Sequence, residues 1–87
     1  MPDQSWQVNV SFTEEGERTR ADAVLELASQ RFHGFGLAKR APEDPSVPLI
    51  GQDLAAARAL SDLSHQLLHA AAERIEEHEG HPVKVHD

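Results

Sequence analysis

Alternating apolar and polar positions mark three strand-like segments in the first half of the chain. Residues 6–13 alternate strictly, with aromatic and β-branched side chains at every second position and polar side chains between them. This period of two predicts a half-buried strand over residues 6–13. A second strand is predicted over residues 18–28 and a third over residues 31–39, with Gly16 as the turn residue before the second strand.

The pattern over residues 18–30 fits either a strand or a helix. As a strand, alternate positions such as Ala21, Ala23 and Leu25 share one face. As a helix, Ala21 and Leu25 belong to an apolar stripe, and the alanine, leucine and glutamate content favours this interpretation. The strand is preferred because a short polar step at residues 28–30 leads directly into the next strand-like run, which is typical of a hairpin.

Two glycines on the third predicted strand indicate that another element packs close to it. Gly34 and Gly36 share one face of this strand. The opposite face carries His33, Phe35 and Leu37. Glycines in a strand let a second backbone approach closely. The third glycine of a dinucleotide-binding loop is missing and no helix start follows, so nucleotide binding is not predicted.

A long helix is the clearest element of the second half. Three prolines between residues 42 and 48 predict an extended crossover over residues 41–50. Apolar side chains then recur at steps of three and four over residues 51–79, which predicts a helix. Asp53 is predicted as its N-cap or as an anion in its first turn, and Gly80 as the residue that ends it.

The predicted helix is longer than the predicted strands. Residues 53–79 of a helix span about 40 Å, whereas a strand of about eight residues spans about 27 Å. The overhanging part would expose an apolar stripe, which predicts a homodimer. The alternating residues 83–85 are predicted as a short edge strand, within the chain or with the second copy. The predicted dimer interface comprises Leu67, Leu68, Ala71 and Ile75.

These elements predict a single α+β domain, with a three-stranded antiparallel sheet packed on one long C-terminal helix. The chain has 87 residues, enough for one domain over residues 6–87. Residues 1–5 are predicted as a disordered tail and residues 81–87 as an extended tail. The predicted core comprises Val8, Val10, Phe12, Leu25, Leu27, Phe35, Leu37, Leu60, Leu63 and Leu67.

Composition excludes several classes of function. The chain has 8 Lys and Arg against 15 Asp and Glu, a net charge of −7 that argues against binding nucleic acid by bulk electrostatics. With no cysteine, disulfides, thiolate zinc sites and thiol catalysis are excluded. No arrangement of residues indicates an enzyme, a cofactor or a small-molecule substrate. Without a signal peptide or an apolar run of membrane-spanning length, a cytoplasmic location is expected.

The basic residues of the first half concentrate on the predicted strands. On one sheet face they would form a modest basic patch, which predicts contact with nucleic acid or with the ribosome. The alternative is ordinary cross-strand pairing with Asp22 and Glu26. With one Trp, three Phe and no Tyr, the chain has no platform for stacking bases. The candidate contact residues are Arg18, Arg20, Arg31, Lys39 and Arg40.

A candidate metal site lies on the predicted helix. His65, His69 and Glu73 follow one another at steps of four, so they share one helix face where they could converge on a divalent cation. Gln66 follows the first histidine where a zinc hydrolase motif requires glutamate, which excludes that enzyme class. The alternative interpretation, a solvated helix face, stays open.

Several motifs resemble those of a known family. Residues 47–55 read VPLIGQDLA, residues 57–63 read ARALSDL, and residues 34–38 read GFGLA. Over about residues 6–85 the chain resembles a small actinobacterial family of unknown function, described as dsRBD-like. That family includes mycobacterial proteins associated with dormancy and hypoxia.

The resemblance implies a fold, an oligomeric state and a role under stress. It implies a three-stranded antiparallel sheet on a long helix, a homodimer and no catalysis, and it favours the strand over residues 18–30. The family's shape is likened to that of ribosome hibernation promoting factors, which implies a brake on translation under stress. Two other functions stay open: a dimeric adaptor that binds a protein through an acidic helix face, and a metal-binding protein at His65 and His69.

Overall fold

The protein folds as a three-stranded antiparallel sheet with one long helix packed on it. The computed structural model describes residues 4–41, 43 and 47–80. Its elements are β1 (Val8–Glu15), β2 (Arg18–Glu26), β3 (Arg31–Lys39) and α1 (Pro48–Glu79). The strand order is β1-β2-β3, so β2 is central and both hairpins connect neighbouring strands. The α+β fold class predicted from the sequence is confirmed.

The strands lie close to their predicted bounds. β3 has the predicted bounds, β1 is shifted two residues toward the C-terminus, and β2 ends two residues early. The choice of a strand rather than a helix for the second element is confirmed, since β2 pairs with both neighbours along its whole length. The edge strand predicted at residues 83–85 lies outside the described residues.

β2 and β3 each have one face buried under α1 and one face turned away from it. On β2 the buried face is the predicted one. On β3 the assignment was wrong, because Phe35 and Leu37 are 47% and 48% exposed on the side away from the helix. The buried residues of the two strands are Thr19, Ala21, Ala23, Leu25, Phe32, Gly34, Gly36 and Ala38.

The face of β3 that meets the helix is set by the glycines. A Cβ atom on Gly34 would lie 2.5 Å from the carbonyl oxygen of Ala59 and 2.6 Å from the amide nitrogen of Leu63. A Cβ atom on Gly36 would lie 2.5 Å from the carbonyl oxygen of Ala55. The backbone of α1 therefore rests directly on β3, and the close approach predicted at these glycines is confirmed.

β1 extends beyond the cover that the helix provides. α1 packs on β2 and β3 but not on β1 to any comparable extent. Val8 and Phe12 pair with Leu25 and Ala21 and so lie on the helix-side face, yet they are 41% and 42% exposed. Large side chains on the correct face thus stay outside the core because the helix does not reach them.

The predicted core is confirmed in part. Leu25 and Leu63 are buried, and Val10, Leu27 and Leu67 pack against the buried cluster at partial exposure. Small residues of β2 and α1, which the prediction omitted, make up most of the rest of the core. The predicted core residues that are exposed instead are Val8, Phe12, Phe35, Leu37 and Leu60.

α1 begins three residues before its predicted start. Pro48 occupies the first turn, where the missing N–H costs no intrahelical bond, and Val47 before it provides no side-chain cap. Asp53 therefore lies inside the helix, and its prediction as N-cap or first-turn anion was wrong. Gly80 ends the helix as predicted, with a left-handed φ of 74° and its N–H donating to Glu76 O at 2.7 Å. In the described ranges, no helix combines the length and apolarity needed to cross a membrane.

Replacing Leu63 by Ala should strongly destabilise the fold. Leu63 is 3% exposed at the helix–sheet contact, and truncating a buried leucine costs about 2–5 kcal/mol. Leu60 lies one turn away at 42% exposure, so Leu60→Ala is a matched control with a much smaller expected loss. Urea denaturation followed by circular dichroism measures both, and equal losses would contradict this packing.

Replacing Gly36 by Ala should also destabilise the fold, although alanine is ordinarily the better strand residue. The new methyl group would meet the Ala55 carbonyl at 2.5 Å, and overpacking of this kind costs about 1–3 kcal/mol. Ser11→Ala, on the uncovered face of β1, is the control and should change little. A Gly36→Ala variant that melts at or above the wild-type temperature would show that α1 does not rest on β3.

Candidate functional site

The sheet face turned away from α1, here called the open face, is the largest uncovered surface of the sheet. In the strand register, residues directly opposite one another point to the same side, so the face can be read across the ladder. Charged and apolar side chains share it. The open face comprises Asn9, Ser11, Thr13, Glu15, Arg18, Arg20, Asp22, Val24, Glu26, Arg31, His33, Phe35, Leu37 and Lys39.

Four of the five predicted basic residues lie on the open face, three at one end of the sheet and one at the other. Arg18 lies directly opposite Lys39, and Arg20 is two residues further along β2. Arg31 lies opposite Glu26 at the other end of the sheet, about 27 Å away by the rise of a strand. Arg18, Arg20 and Lys39 form a compact group, here called the basic cluster.

Arg40, the fifth predicted basic residue, lies just past the end of β3. Its backbone N–H donates to Glu17 O at 2.9 Å, which ties the end of β3 to the β1–β2 turn. Its side chain reaches the Ala41 carbonyl at 3.4 Å and is half-buried. It therefore flanks the basic cluster without belonging to the open face.

Asp22 connects charged and aromatic side chains at the centre of the open face. Arg20 donates to the Asp22 carboxylate from Nε and Nη2 at 3.0–3.2 Å. His33 Nε2 lies 2.7 Å from Asp22 Oδ1, and an ionised carboxylate can only accept in such a bond. The Arg20 guanidinium also lies 4.5 Å from the ring centroid of Phe35. Arg20 is thus held in place by one ion pair and one aromatic ring.

These hydrogen bonds stabilise the ionised form of Asp22. The bond from Arg20 lowers the pKa of the Asp22 carboxyl most, followed by the contact with His33, while partial desolvation opposes both. Asp22 is therefore a fixed negative charge at neutral pH. It offsets Arg20 and leaves Arg18 and Lys39 as the cations of the cluster without a carboxylate contact among the described ion pairs.

Polar side chains of α1 cover the outer edge of β3, which the sequence analysis did not predict. Arg58 Nη1 donates to the Leu37 carbonyl at 2.6 Å, and Gln66 Nε2 donates to the His33 carbonyl at 2.7 Å. Between them the N–H of Phe35 donates to the Asp62 carboxylate at 3.0 Å. The sequence signal was a polar residue at every fourth position, which becomes meaningful only once the helix is placed beside β3. The three side chains Arg58, Asp62 and Gln66 are here called the edge ladder.

The helix residues predicted as a dimer interface are partly engaged within the chain. Leu67 packs against the core and Leu68 is half-buried. Ala71 is exposed, and Ile75 is 37% exposed. Near them Arg74 donates to the Gln30 side chain at 3.0 Å, so the β2–β3 turn also contacts this part of the helix. The apolar overhang is smaller than the sequence indicated.

The predicted metal-ligating residues line a groove between α1 and the β2–β3 turn. His65, His69 and Glu73 border this space of about 410 Å³ together with Gln66 and Arg31. His69 Nε2 and Glu73 Oε1 are 3.9 Å apart at exposed positions. No three histidine or acidic side chains converge to a metal-binding geometry in the described part of the chain.

Comparison with known proteins identifies the family. The sequence profile of the Rv2632c-like family matches residues 4–84. This chain belongs to the Rv2632c-like family. The uncharacterized protein Rv2632c of Mycobacterium tuberculosis is 46% identical over 77 residues, 88% of this chain and 83% of the relative. The uncharacterized protein Mb1767 of Mycobacterium bovis is 42% identical over 73 residues, 84% of this chain and 78% of that relative.

A solved structure of the Rv2632c-like family has the same architecture. The crystal structure of Rv2632c superposes with a TM-score of 0.85 at 41% identity, covering 94% of this chain and 98% of that chain. The expectation of a family of unknown function that includes mycobacterial proteins is therefore confirmed. The open face and the long helix of this fold are the surfaces on which a proposed function has to be placed.

Replacing Asp22 by Asn should make this Rv2632c-like protein less sensitive to acid. Because folding lowers the pKa of the Asp22 carboxyl, its ionised form adds stability above the ordinary aspartate pKa, and this is lost as the pH falls through the lowered value. The wild type should thus lose stability more steeply than Asp22→Asn as the pH falls below about 4. Urea midpoints across this range measure it, and Arg20→Ala should flatten the profile too. Identical wild-type and Asp22→Asn profiles would refute the contribution.

Proposed function

We propose that this protein is a non-enzymatic, cytoplasmic stress protein that binds ribosomal RNA through the basic cluster of its open face. In this role it acts as a dsRBD-like counterpart of the ribosome hibernation promoting factors, bound when cells become dormant. The observation that supports the proposal is that Arg18, Arg20 and Lys39 lie next to one another at one end of the open face.

The placement of Arg18 opposite Lys39 supports binding to an anion. Like charges directly across a strand pair destabilise a sheet, so this pair brings the fold no benefit of its own. A phosphate between the two side chains would relieve their repulsion. Arg20, whose charge Asp22 offsets, adds guanidinium N–H donors that Asp22 and the Phe35 ring hold in place, so they have little freedom left to lose on binding.

The charge of the whole protein sets the expected strength of this contact. With a net charge of −7 the chain as a whole repels RNA, so binding must come from the local cluster. Glu15 stands on the β1 side of Arg18 and limits the cluster in that direction. Arg18 and Lys39, the two cations that no carboxylate offsets, neutralise about two phosphates and give a log–log salt slope of about −1.4 to −1.8, a loss of roughly 7- to 12-fold from 50 to 200 mM salt.

Co-sedimentation with ribosomes from the organism of origin, prepared from growing and stationary cells, tests the proposal. Saturable binding that weakens with salt at about this slope is expected, and more of it with stationary-phase ribosomes. The double variant Arg18→Ala, Lys39→Ala should lose most of the binding and nearly all of its salt dependence, since both phosphate contacts disappear.

Arg74→Ala provides the matched control for this experiment. Arg74 is also an exposed arginine with a hydrogen-bonding partner, but it lies on α1 and contacts the β2–β3 turn. Its removal should leave ribosome binding unchanged. Absence of pelleting in both growth states, or an equal loss in the control, would reject the open face as an RNA-binding surface.

A further inference from the structure

A cavity at one end of the sheet has no part in the contact proposed above. It measures about 300 Å³ and lies between the β1–β2 turn, the end of β3 and the first turns of α1. This volume is at the lower end of the range for ligand pockets, which suits a small ligand rather than an extended cofactor. The N–H of Arg40 donates to Glu17 O at 2.9 Å, and this bond fixes two walls of the cavity relative to each other.

The helix side of the cavity is apolar. Val47, Ile50 and Leu54 line it and are 42%, 56% and 46% exposed. Ala38 and Pro48 lie on the same walls. Large apolar side chains that stay exposed around one cavity are typical of a ligand site. These walls favour a ligand with an uncharged body.

One hydroxyl inside the cavity is available to a ligand. Thr19 is 7% exposed and lines the cavity. Within residues 4–41, 43 and 47–80 its side chain makes no hydrogen bond. No fully enclosed side-chain oxygen or nitrogen in that part of the chain lacks a partner, so the Thr19 hydroxyl is open to the cavity. A ligand that bonds to this hydroxyl satisfies a polar group that the fold leaves without a partner.

Two carboxylates also lie at the cavity. Glu14 pairs with Thr19 across β1 and β2, which places it on the helix-side face, and Glu17 is half-buried in the β1–β2 turn. Neither forms an ion pair with another described residue. An ionised carboxylate only accepts hydrogen bonds, so these two groups favour a ligand with N–H donors.

Lys39 connects the cavity to the basic cluster. It lines the cavity and lies directly opposite Arg18 in the β2–β3 pair. Arg18 and Lys39 are the two cations proposed above to bind phosphate. The cavity and the phosphate site are therefore adjacent, as the base and the phosphate of one nucleotide are.

We propose that this cavity holds one unpaired nucleobase of the RNA whose phosphates bind the basic cluster. The inference rests on the proposed function and deepens it by naming the nucleotide. The apolar walls contact the ring, the Thr19 hydroxyl and the carboxylates bond to its polar edge, and Lys39 binds the phosphate. Guanine is the preferred base, because its adjacent N1–H and N2–H₂ donors match the two oxygens of one carboxylate, whereas uracil offers a single N–H.

Only an unstacked base can enter the cavity. In a duplex the neighbouring base pairs cover both faces of each base, so the preferred RNA carries its guanine in a bulge, a loop or a strand end. None of the described lining residues is aromatic, so aliphatic side chains hold the ring. A free guanine nucleotide has the same ring, donors and phosphate, and the experiment has to separate these two sources.

Fluorescence anisotropy with three labelled RNA duplexes tests the proposal. One is fully paired, one has a single bulged guanine, and one has a bulged uridine. The wild type should bind the bulged-guanine duplex about fivefold or more tightly than the other two, the discrimination that one good base contact gives. Equal binding of the three duplexes overturns the proposal and leaves the phosphate contact of the basic cluster intact.

Thr19→Val removes the hydroxyl and keeps the shape of the side chain, so it should abolish most of the preference for the bulged guanine. Thr13→Val makes the same change on the open face of β1 and is the matched control, which should retain the preference. The double variant Arg18→Ala, Lys39→Ala should instead weaken the binding of all three duplexes. A Thr19→Val variant that folds and keeps the full preference overturns the assignment of the cavity.

Gly51→Ala keeps the test decisive if Thr19→Val does not fold. A Cβ atom on Gly51 would lie 2.9 Å from Thr19 Oγ1, so the methyl group takes up space beside the hydroxyl. Because alanine is the better helix residue, this variant should fold and still lose the preference for the bulged guanine. Retention of the full preference would contradict the proposed position of the base.

An NMR titration with guanosine 5′-monophosphate separates the two sources of the base. Shifts of the Ile50 and Gly51 amide resonances in a protein that binds none of the duplexes would identify the free nucleotide as the ligand and reject the RNA contact. Binding of all three duplexes alike, without these shifts, overturns the cavity site alone. A protein that binds neither the duplexes nor the nucleotide overturns both proposals.

Discussion

The contact between the backbone of α1 and the glycine face of β3 determines the rest of this structure. Gly34 and Gly36 leave no side chain between strand and helix, and Ala55 and Ala59 keep the helix side equally flat. As a result, α1 packs over β2 and β3. The position of the helix determines which parts of the sheet are exposed. Side chains of α1 cover the outer edge of β3, whereas β1 and the open face are not covered by the helix.

This placement separates three surfaces with different chemistry. The open face carries charged side chains fixed by Asp22 and Phe35, β1 carries the exposed apolar side chains of Val8 and Phe12, and the end of α1 is acidic.

The sequence predicted the elements better than it predicted their packing. Alternation, turn glycines and helical periodicity are local signals, and they located all three strands and the helix to within a few residues. The face of β3 was misassigned because Phe35 and Leu37 are more hydrophobic than Gly34 and Gly36, while close packing depends on size. Leu60 and Phe12 were placed in the core because only the position of the helix, a long-range property, shows that they lie outside it. The contact between His33 and Asp22 and the edge ladder likewise depend on how distant parts of the chain are placed beside each other.

In the edge ladder, every fourth residue of α1 contacts every second residue of β3, and these two spacings are nearly equal in length. Four helical residues advance about 6.0 Å, and two strand residues advance about 6.6–6.8 Å, so three rungs stay aligned while a longer series would drift. One step beyond either end, Leu54 and Ala70 have no polar group to offer. A single inserted residue within 58–66 would rotate the following side chains by about 100° away from the strand. Evolution can therefore change chain length in the connections of this fold far more easily than in residues 33–37 or 58–66.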